Sequence, residues 1–285
     1  MIDYPRGRWR SLTLAWRGTV LPRTLPWALA LTALAVVIKL ATQQHLITLE
    51  VPPLAHNLIG VALGLLLVFR TNASYDRYWE GRKQWGGIVN SSRNLVRAGA
   101  SYLTPNAAAA ELARLVQAFP LALKQHLRGL QTYEELDALL PAPLRASLAG
   151  VNAPLRITRA MSQLIGQHHS AGTLPPEAAR ALETYVANLV DHQGACERIL
   201  RTPVPFAYVV HIRQLLLFYL ISLPFVVVPT LGWIGPVAVA FITLGLMGIE
   251  EIGVEIEEPF GTDPNDLPLE AMCATIGRDA QALIA

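Results

Sequence analysis

Charged residues are scarce in this chain. Asp, Glu, Lys and Arg make up 15% of its 285 residues, whereas 52% are hydrophobic and the mean hydropathy is +0.35. A typical soluble domain carries about 25% charged residues, so this composition predicts an integral membrane protein. The formal net charge of +2 is nearly balanced and favours neither nucleic acid nor an acidic partner.

Cysteines and catalytic motifs are scarce as well. Cys196 and Cys273 are the two thiols, and we expect both to be free and reduced. The sequence contains no glycine-rich phosphate-binding motif and no HExxH zinc motif. His168, His169 and His192 do not have the spacing of helical metal ligands. We therefore predict a protein that is not an enzyme and holds no cofactor, and we assign it no metal centre.

Long apolar runs are the most prominent feature that the sequence does have. A helix crosses a bilayer in about 20 residues, and four segments approach that length. They cover residues 24 to 42, 51 to 69, 214 to 230 and 231 to 249. The last two are joined by a corner rich in proline and glycine, which predicts a helical hairpin.

Arginines flank these spans unevenly and so predict the topology. The amino-terminal segment and the stretch after Phe69 are rich in arginine, whereas the loop QQHLITLE contains none. Because cytoplasmic loops collect Lys and Arg, we expect both termini to be cytoplasmic. The amino terminus itself, with Trp9, Leu12, Leu14 and Trp16, is typical of an amphipathic surface helix.

The spans divide the chain into four regions. Residues 1–69 hold the amphipathic segment and the first two transmembrane helices, residues 70–205 a helical cytoplasmic region, residues 206–249 the other two transmembrane helices, and residues 250–285 an acidic cytoplasmic segment. Good helix formers recur through the middle region, prolines punctuate it, and no strand-like alternation occurs. The predicted fold class is all-α.

The second predicted span carries a regular apolar stripe. Val61, Leu65 and Phe69 recur every four residues and share one helix face. Gly60 and Gly64 form a small-xxx-small pair of the kind that lets helices approach closely. Periodicity alone favours a lipid-facing and helix-packing surface. The alternative is a pore, in which several copies present rings of apolar side chains that gate by dewetting.

Two polar segments follow spans two and four. FRTNASYDRYWEGRKQWG, residues 69 to 86, interleaves Arg70 and Arg77 with Asn72, Asp76 and Glu80. It is interpreted either as an interfacial anchor or as a buried polar network where a helix leaves the bilayer. The segment EEIGVEIEEPFGTDPNDLPLE is acidic, which indicates a solvated surface, a complement to the arginines, or a cation site.

Four motifs occurring in this order carry a family resemblance. They are FRTNASYDRYWEGRKQWG, SSRNLVR, ACERILRTPVPFAY and EIEEPFGTDPNDLPLE. With them the chain resembles the bestrophin family, and specifically its compact bacterial branch, over nearly its whole length.

The resemblance implies a homopentameric ion channel in the bacterial inner (plasma) membrane, with the second span of each subunit around one central pore. By similarity, Val61, Leu65 and Phe69 would form a hydrophobic neck, and Ala178 a second, cytoplasmic aperture. The polar segment after Phe69 would couple the neck to the cytoplasmic region. The permeating monovalent ions would be chloride-type anions, as in the family at large. Monovalent cations, as in some bacterial members, are the alternative.

Two further expectations qualify the resemblance. Calcium-activated animal members carry a denser acidic run after Pro-Phe-Gly. Asp263 and Asp266 match positions in that run, but residues between them interrupt it, so we expect a weak cation site and no calcium gating. The rival from another class is a non-conducting membrane scaffold whose cytoplasmic helices bind a partner. No nucleic-acid partner is expected.

Overall fold

The structure of the protein is a computed structural model and describes residues 13, 15–48 and 52–285. All regular secondary structure in these residues is helical, as predicted. The α-helices are α1 Leu21–Gln43, α2 Pro53–Tyr102, α3 Asn106–Leu127, α4 Ala142–Ala146, α5 Ala153–Ser170, α6 Pro176–Arg201, α7 Phe206–Leu231, α8 Gly235–Glu257 and α9 Leu269–Ile284. The predicted amphipathic helix around Trp9, Leu12 and Leu14 lies outside the described residues.

Three helical stretches in the described part of the chain are long and apolar enough to cross a membrane. They are Leu21–Gln43, Pro53–Tyr102 and Phe206–Glu257. The third stretch contains both α7 and α8, which have 26 and 23 residues. A 3₁₀ turn, Gly232–Ile234, separates them, and Gly232 has a φ of 58°, which glycine adopts without steric cost.

Helix α2 is much longer than its predicted apolar run. It continues from Pro53 to Tyr102, so the predicted region boundary at residues 69/70 falls inside it. The sequence contains no proline between Pro53 and Pro105, so every residue in this stretch can donate its backbone hydrogen bond to the helix. In the same way, the predicted boundary at residues 249/250 falls inside α8. Polarity changes at both points, but helical structure does not.

The chain divides into two compact units, and the first contains the apolar helices. It comprises the described part of Met1–Tyr78 together with Pro203–Glu258 and Asp263–Asn265. Here α1 packs against α7 and α8, and α7 packs against α8. Its core is aliphatic and draws on all four helices, with Ala35, Leu63, Leu67, Ile212, Leu216 and Val239 among its buried members.

The second unit comprises Trp79–Thr202, Pro259–Thr262 and Asp266–Ala285. Helix α3 is its centre and packs against α5 and α9, while α5 also packs against α6. Leu112, Val116 and Phe119 of α3 are fully buried. The segment TYEELDALL, residues 132 to 140, has the 3₁₀ turn Glu134–Leu136 as its regular structure.

Candidate functional site

The apolar stripe of α2 is left uncovered by the described part of its own chain. Val61, Leu65 and Phe69 are 75%, 57% and 55% exposed. Leu63 and Leu67, on the opposite face, are 0% and 1% exposed and belong to the core of the first unit. The predicted stripe is therefore a separate surface and not part of the packing within one subunit.

This surface extends along α2 in both directions. Leu54 and Leu58 precede the stripe and are exposed, and Asn72 and Asp76 follow it and are exposed as well. At about 100° per residue, positions 7 and 11 residues after Leu65 return to nearly the same side of the helix. The exposed face of α2 thus changes from aliphatic to polar just after Phe69.

The two glycines of the small-xxx-small pair have different surroundings. A Cβ placed on Gly60 would lie 2.8 Å from the Tyr219 hydroxyl of α7, whereas one on Gly64 would meet nothing within 4 Å. The Tyr219 ring is stacked on His56, with 4.1 Å between the ring centroids. Close helix packing within the subunit therefore depends on Gly60 and not on Gly64. His56 and Tyr219 were not anticipated, although polar rings within apolar runs indicate that partners are needed.

Arg70 is the centre of a buried ion-pair network. Its side chain is 1% exposed, and its Nη2 lies 2.7 Å from Glu257 Oε2 and its Nε 3.8 Å from Glu250 Oε2. Its Nη1 also donates a hydrogen bond to the Ser74 hydroxyl at 3.3 Å. Both carboxylates come from the last turns of α8. The structure thus pairs this arginine of the segment after span two with the acidic segment after span four.

Other groups extend the network around the same carboxylates. Arg213 Nε donates to Glu250 Oε1 at 3.1 Å, and the backbone N–H of Val204 donates to Glu257 Oε1 at 3.1 Å. Arg77 Nε donates to the Glu257 carbonyl at 3.1 Å. A cation on the last carbonyl of α8 complements the negative end of the helix dipole. Arg213 was missed from the sequence, although an arginine just before an apolar run is a visible signal.

The structure separates the five residues predicted to form one polar segment. Arg70 and Arg77 turn toward α8, while Asn72 and Asp76 are exposed on the stripe face and do not join a buried network. Glu80 belongs to the second unit, where it accepts from Gln84 Nε2 at 2.6 Å and pairs with Lys83 at 2.9 Å. Within the described subunit these five residues therefore do not form one buried network. Because these positions lie at different angles around the axis of α2, their side chains fall on different sides of the helix.

The acidic turn after α8 holds an arginine in place of an open cation site. Arg23 Nη2 lies 3.5 Å from Asp263 Oδ1, and Arg23 Nη1 lies 3.9 Å from Glu255 Oε2. Asn265 Nδ2 donates to the Gly18 carbonyl at 3.2 Å and to Glu255 Oε1 at 2.9 Å. Asp266 is buried. No group of three or more His, Cys, Asp or Glu side chains within the described residues is placed to hold a metal ion, so the geometry gives no support to the expected weak site at Asp263 and Asp266.

The predicted aperture residue and the two cysteines are all buried. Ala178, near the start of α6, is 9% exposed, whereas Glu177 and Arg180 beside it are exposed. This burial does not fit a side chain that lines an aperture. Cys196 and Cys273 are free, as expected, and burial raises the pKa of each thiol to about 12, which makes both unreactive.

Apolar helices of spanning length joined to further helices define an all-helical protein of the membrane type. A family model described as Bacterial/Fungal Bestrophin protein matches residues 1–282. The chain belongs to this family.

Related sequences and solved structures agree with this assignment. The chain is 40% identical to a voltage-dependent anion channel-forming protein of Nostoc sp., over 96% of this chain and 91% of that protein. It is 32% identical to the voltage-dependent anion channel-forming protein YneE of Escherichia coli K12, over 98% and 92%. A bacterial bestrophin homologue from Klebsiella pneumoniae, solved with a D179A mutation, superimposes with a TM-score of 0.86 at 30% identity, over 94% of this chain and 100% of that one.

Proposed function

We propose that the protein is an ion channel of the bacterial inner membrane, built as a homopentamer around a central pore. The observation that carries this proposal is the uncovered apolar stripe of α2, with Val61, Leu65 and Phe69 all more than half exposed. The names of the relatives, which are called voltage-dependent anion channel-forming proteins, support it. In this proposal α2 of every subunit faces the pore.

The membrane topology follows from the same assignment. Helices α1, α2, α7 and α8 each cross the bilayer, α2 only with its apolar first half. Both termini lie in the cytoplasm, together with α3 to α6. In this proposal the regions 1–69, 70–205, 206–249 and 250–285 keep the membrane or cytoplasmic locations predicted from the sequence. The Gly232–Ile234 turn between α7 and α8 would lie on the outer side.

The neck would control conduction through its hydrophobicity. Rings of Val61, Leu65 and Phe69 side chains offer water and ions no hydrogen-bond partner, so a narrow neck empties of water and blocks ions. The buried pairing of Arg70 with Glu250 and Glu257 would fix the lower end of this helix segment against α8. The neck residues are thereby held on a rigid support, which is the coupling role that we assign to Arg70 and Arg77.

The experiment that tests the channel uses purified protein in planar bilayers under a KCl gradient. We expect single-channel currents, and native mass spectrometry of the same preparation should give a pentamer. Silence from folded, oligomeric protein would contradict the channel and favour a scaffold. A monomer that does not conduct would contradict both the ring and the pore.

A variant carrying Val61→Ala, Leu65→Ala and Phe69→Ala tests the neck. These side chains are exposed in the subunit, so the protein should still fold, while the wider and more easily wetted neck should pass a larger single-channel current. The matched control replaces three exposed apolar residues of α7, namely Leu217, Phe218 and Ile221, with alanine. An unchanged current in the α2 variant, or an equal increase in the control, would remove these residues from the neck.

A further inference from the structure

Charges of opposite sign are sorted to opposite sides of α2 just beyond the stripe. Arg70, Asp76 and Arg77 are the charged residues of α2 between Phe69 and Tyr78, where the first unit leaves this helix. Both arginines contact the end of α8, where Arg70 is neutralised by Glu250 and Glu257 and Arg77 binds the Glu257 carbonyl. Asp76 is exposed and makes no ion pair or hydrogen bond with the described residues. The positive charges are thus withdrawn, and one negative charge remains on the stripe side.

Helix geometry places Asp76 on the same face as the neck residues. It follows Leu65 by 11 residues, which is about three turns and an offset of roughly 20° around the helix. It lies about 10 Å further along the axis than Phe69. Of the next charged residues of α2, Lys83 shares this face but pairs with Glu80 at 2.9 Å. Arg82 is rotated by roughly 100° from Leu65.

Building on the proposed pentameric channel, we propose that Asp76 determines the sign of the permeating ion. In the pentamer its carboxylates form a ring at the cytoplasmic end of the neck, and this ring favours monovalent cations over chloride. Rings of Asp or Glu side chains act in this way in cation channels, whereas an apolar neck by itself prefers neither sign. The preference therefore arises from one residue per subunit and differs from the anion selectivity stated in the relatives' names.

The expected size of the effect follows from the electrostatics of a lined passage. A cleft lined by charge of one sign raises the local concentration of counter-ions by a factor of about 10 to 1,000. The K⁺ to Cl⁻ permeability ratio should therefore fall by at least about tenfold, the lower end of this range, when the ring loses its charge. Because the Debye length shrinks from about 10 Å at 0.1 M salt to about 3 Å at 1 M, the wild-type preference should also weaken in concentrated KCl.

The test compares reversal potentials under a KCl gradient for the wild type, Asp76→Asn and Asp76→Lys. We expect the wild type to reverse toward the K⁺ equilibrium potential, Asp76→Asn to lose most of that preference, and Asp76→Lys to reverse toward the Cl⁻ potential. Asp191→Asn makes the same chemical change at an exposed aspartate of α6 and should behave like the wild type. Because Asp76 is exposed and without a partner in the described chain, its variants should fold and assemble normally.

The possible outcomes separate this inference from the channel itself. A wild type that conducts but prefers chloride, or an Asp76→Asn variant that conducts with unchanged selectivity, overturns the role of Asp76 and leaves the channel intact. An equal loss of selectivity in Asp191→Asn overturns it too, because the effect would then come from overall charge. A wild type that assembles and passes no current under any of these gradients overturns the channel, and the selectivity role is lost with it.

Discussion

The two faces of α2 differ in what a single subunit does for them. On one face, Leu63 and Leu67 are buried in the aliphatic core, and Arg70 is buried between two carboxylates of α8. On the other face, Val61 and Leu65 are more than half exposed, with no cover from the described chain. The first face is completed by its own subunit, whereas the second requires something outside it.

The order of residues along the second face indicates what that requirement is. Lipid would cover the aliphatic residues from Leu54 to Phe69, whereas Asn72 and Asp76, which continue the same face, need water. In the proposed channel, an aqueous pathway with an apolar constriction accommodates both parts. Variants that differ only in the face they alter can therefore test the comparison.

The largest expected effect is on the buried face at Arg70. Arg70→Ala removes the buried cation that pairs with Glu257 at 2.7 Å and lies 3.8 Å from Glu250, which is almost fully buried. Loss of one partner from a buried pair costs about 3–5 kcal/mol. Chemical denaturation of the detergent-solubilised protein, followed by tryptophan fluorescence, should show a fall of this size in the free energy of unfolding.

Arg213→Ala is the matched control for this prediction. Arg213 binds the same Glu250 at 3.1 Å, but its side chain is 52% exposed. Water can replace it, so the expected loss is below about 1 kcal/mol. If both variants lost the same stability, the buried position of Arg70 would not explain its contribution.

A pair of leucines two residues apart tests the apolar parts of the two faces. Leu67→Ala opens a cavity in the core and should cost about 2 kcal/mol, near the low end for such changes because the competing solvent is lipid and not water. Leu65→Ala should stay within about 0.5 kcal/mol, since Leu65 is exposed. Its effect should instead be a larger single-channel current. Equal stability losses would show that the exposed face is also packed within the subunit.

The glycines test how closely each face is packed. Gly60→Ala forces its methyl group against Tyr219, which cannot move easily because it stacks on His56, and should cost about 1–3 kcal/mol. Gly64→Ala meets open space and should be neutral or stabilising by up to about 1 kcal/mol. Thermal unfolding measures both effects. Loss of the oligomer in Gly64→Ala alone would contradict this expectation and show that a second copy occupies that space.

Much of the fold could be predicted from the sequence because it depends on local properties. The apolar runs are long enough to require helices in lipid, and their helices appear at Leu21–Gln43, Pro53–Tyr102, Phe206–Leu231 and Gly235–Glu257. The spacing of Val61, Leu65 and Phe69 predicts a shared face because two i,i+4 steps rotate only about 80° around a helix, and all three side chains are exposed.

The rest depends on tertiary contacts that no local pattern contains. Arg70 and Asp76 have similar neighbours in the sequence, but α8 lies beside only one of them, so the polar segment divides in a way that its composition does not reveal. The burial of Ala178 within the second unit is equally invisible from the sequence. The change of polarity at residues 69 and 249 predicts a change of surroundings and not a helix end, because a helix can continue through a change of solvent.

The smallest expected effect concerns Glu197 of α6, a carboxylate that, like the buried face of α2, finds its partners within its own subunit. Burial raises the pKa of this carboxyl, but hydrogen bonds from Gln193 and Asn152 and the nearby charge of His126 outweigh it, so the pKa lies below its ordinary value. Because the pKa is lower in the folded state, this contribution to stability is present above about pH 4.5, the ordinary pKa range for a glutamate, and is lost as the pH falls through the folded pKa.

The melting temperature of Glu197→Gln should therefore fall less than that of the wild type when the pH is lowered from about 6 to about 3. Glu111→Gln, at an exposed carboxylate of α3, should keep the wild-type drop. If Glu197→Gln lost as much stability in acid as the wild type, the hydrogen bonds to Glu197 would not be what acid removes.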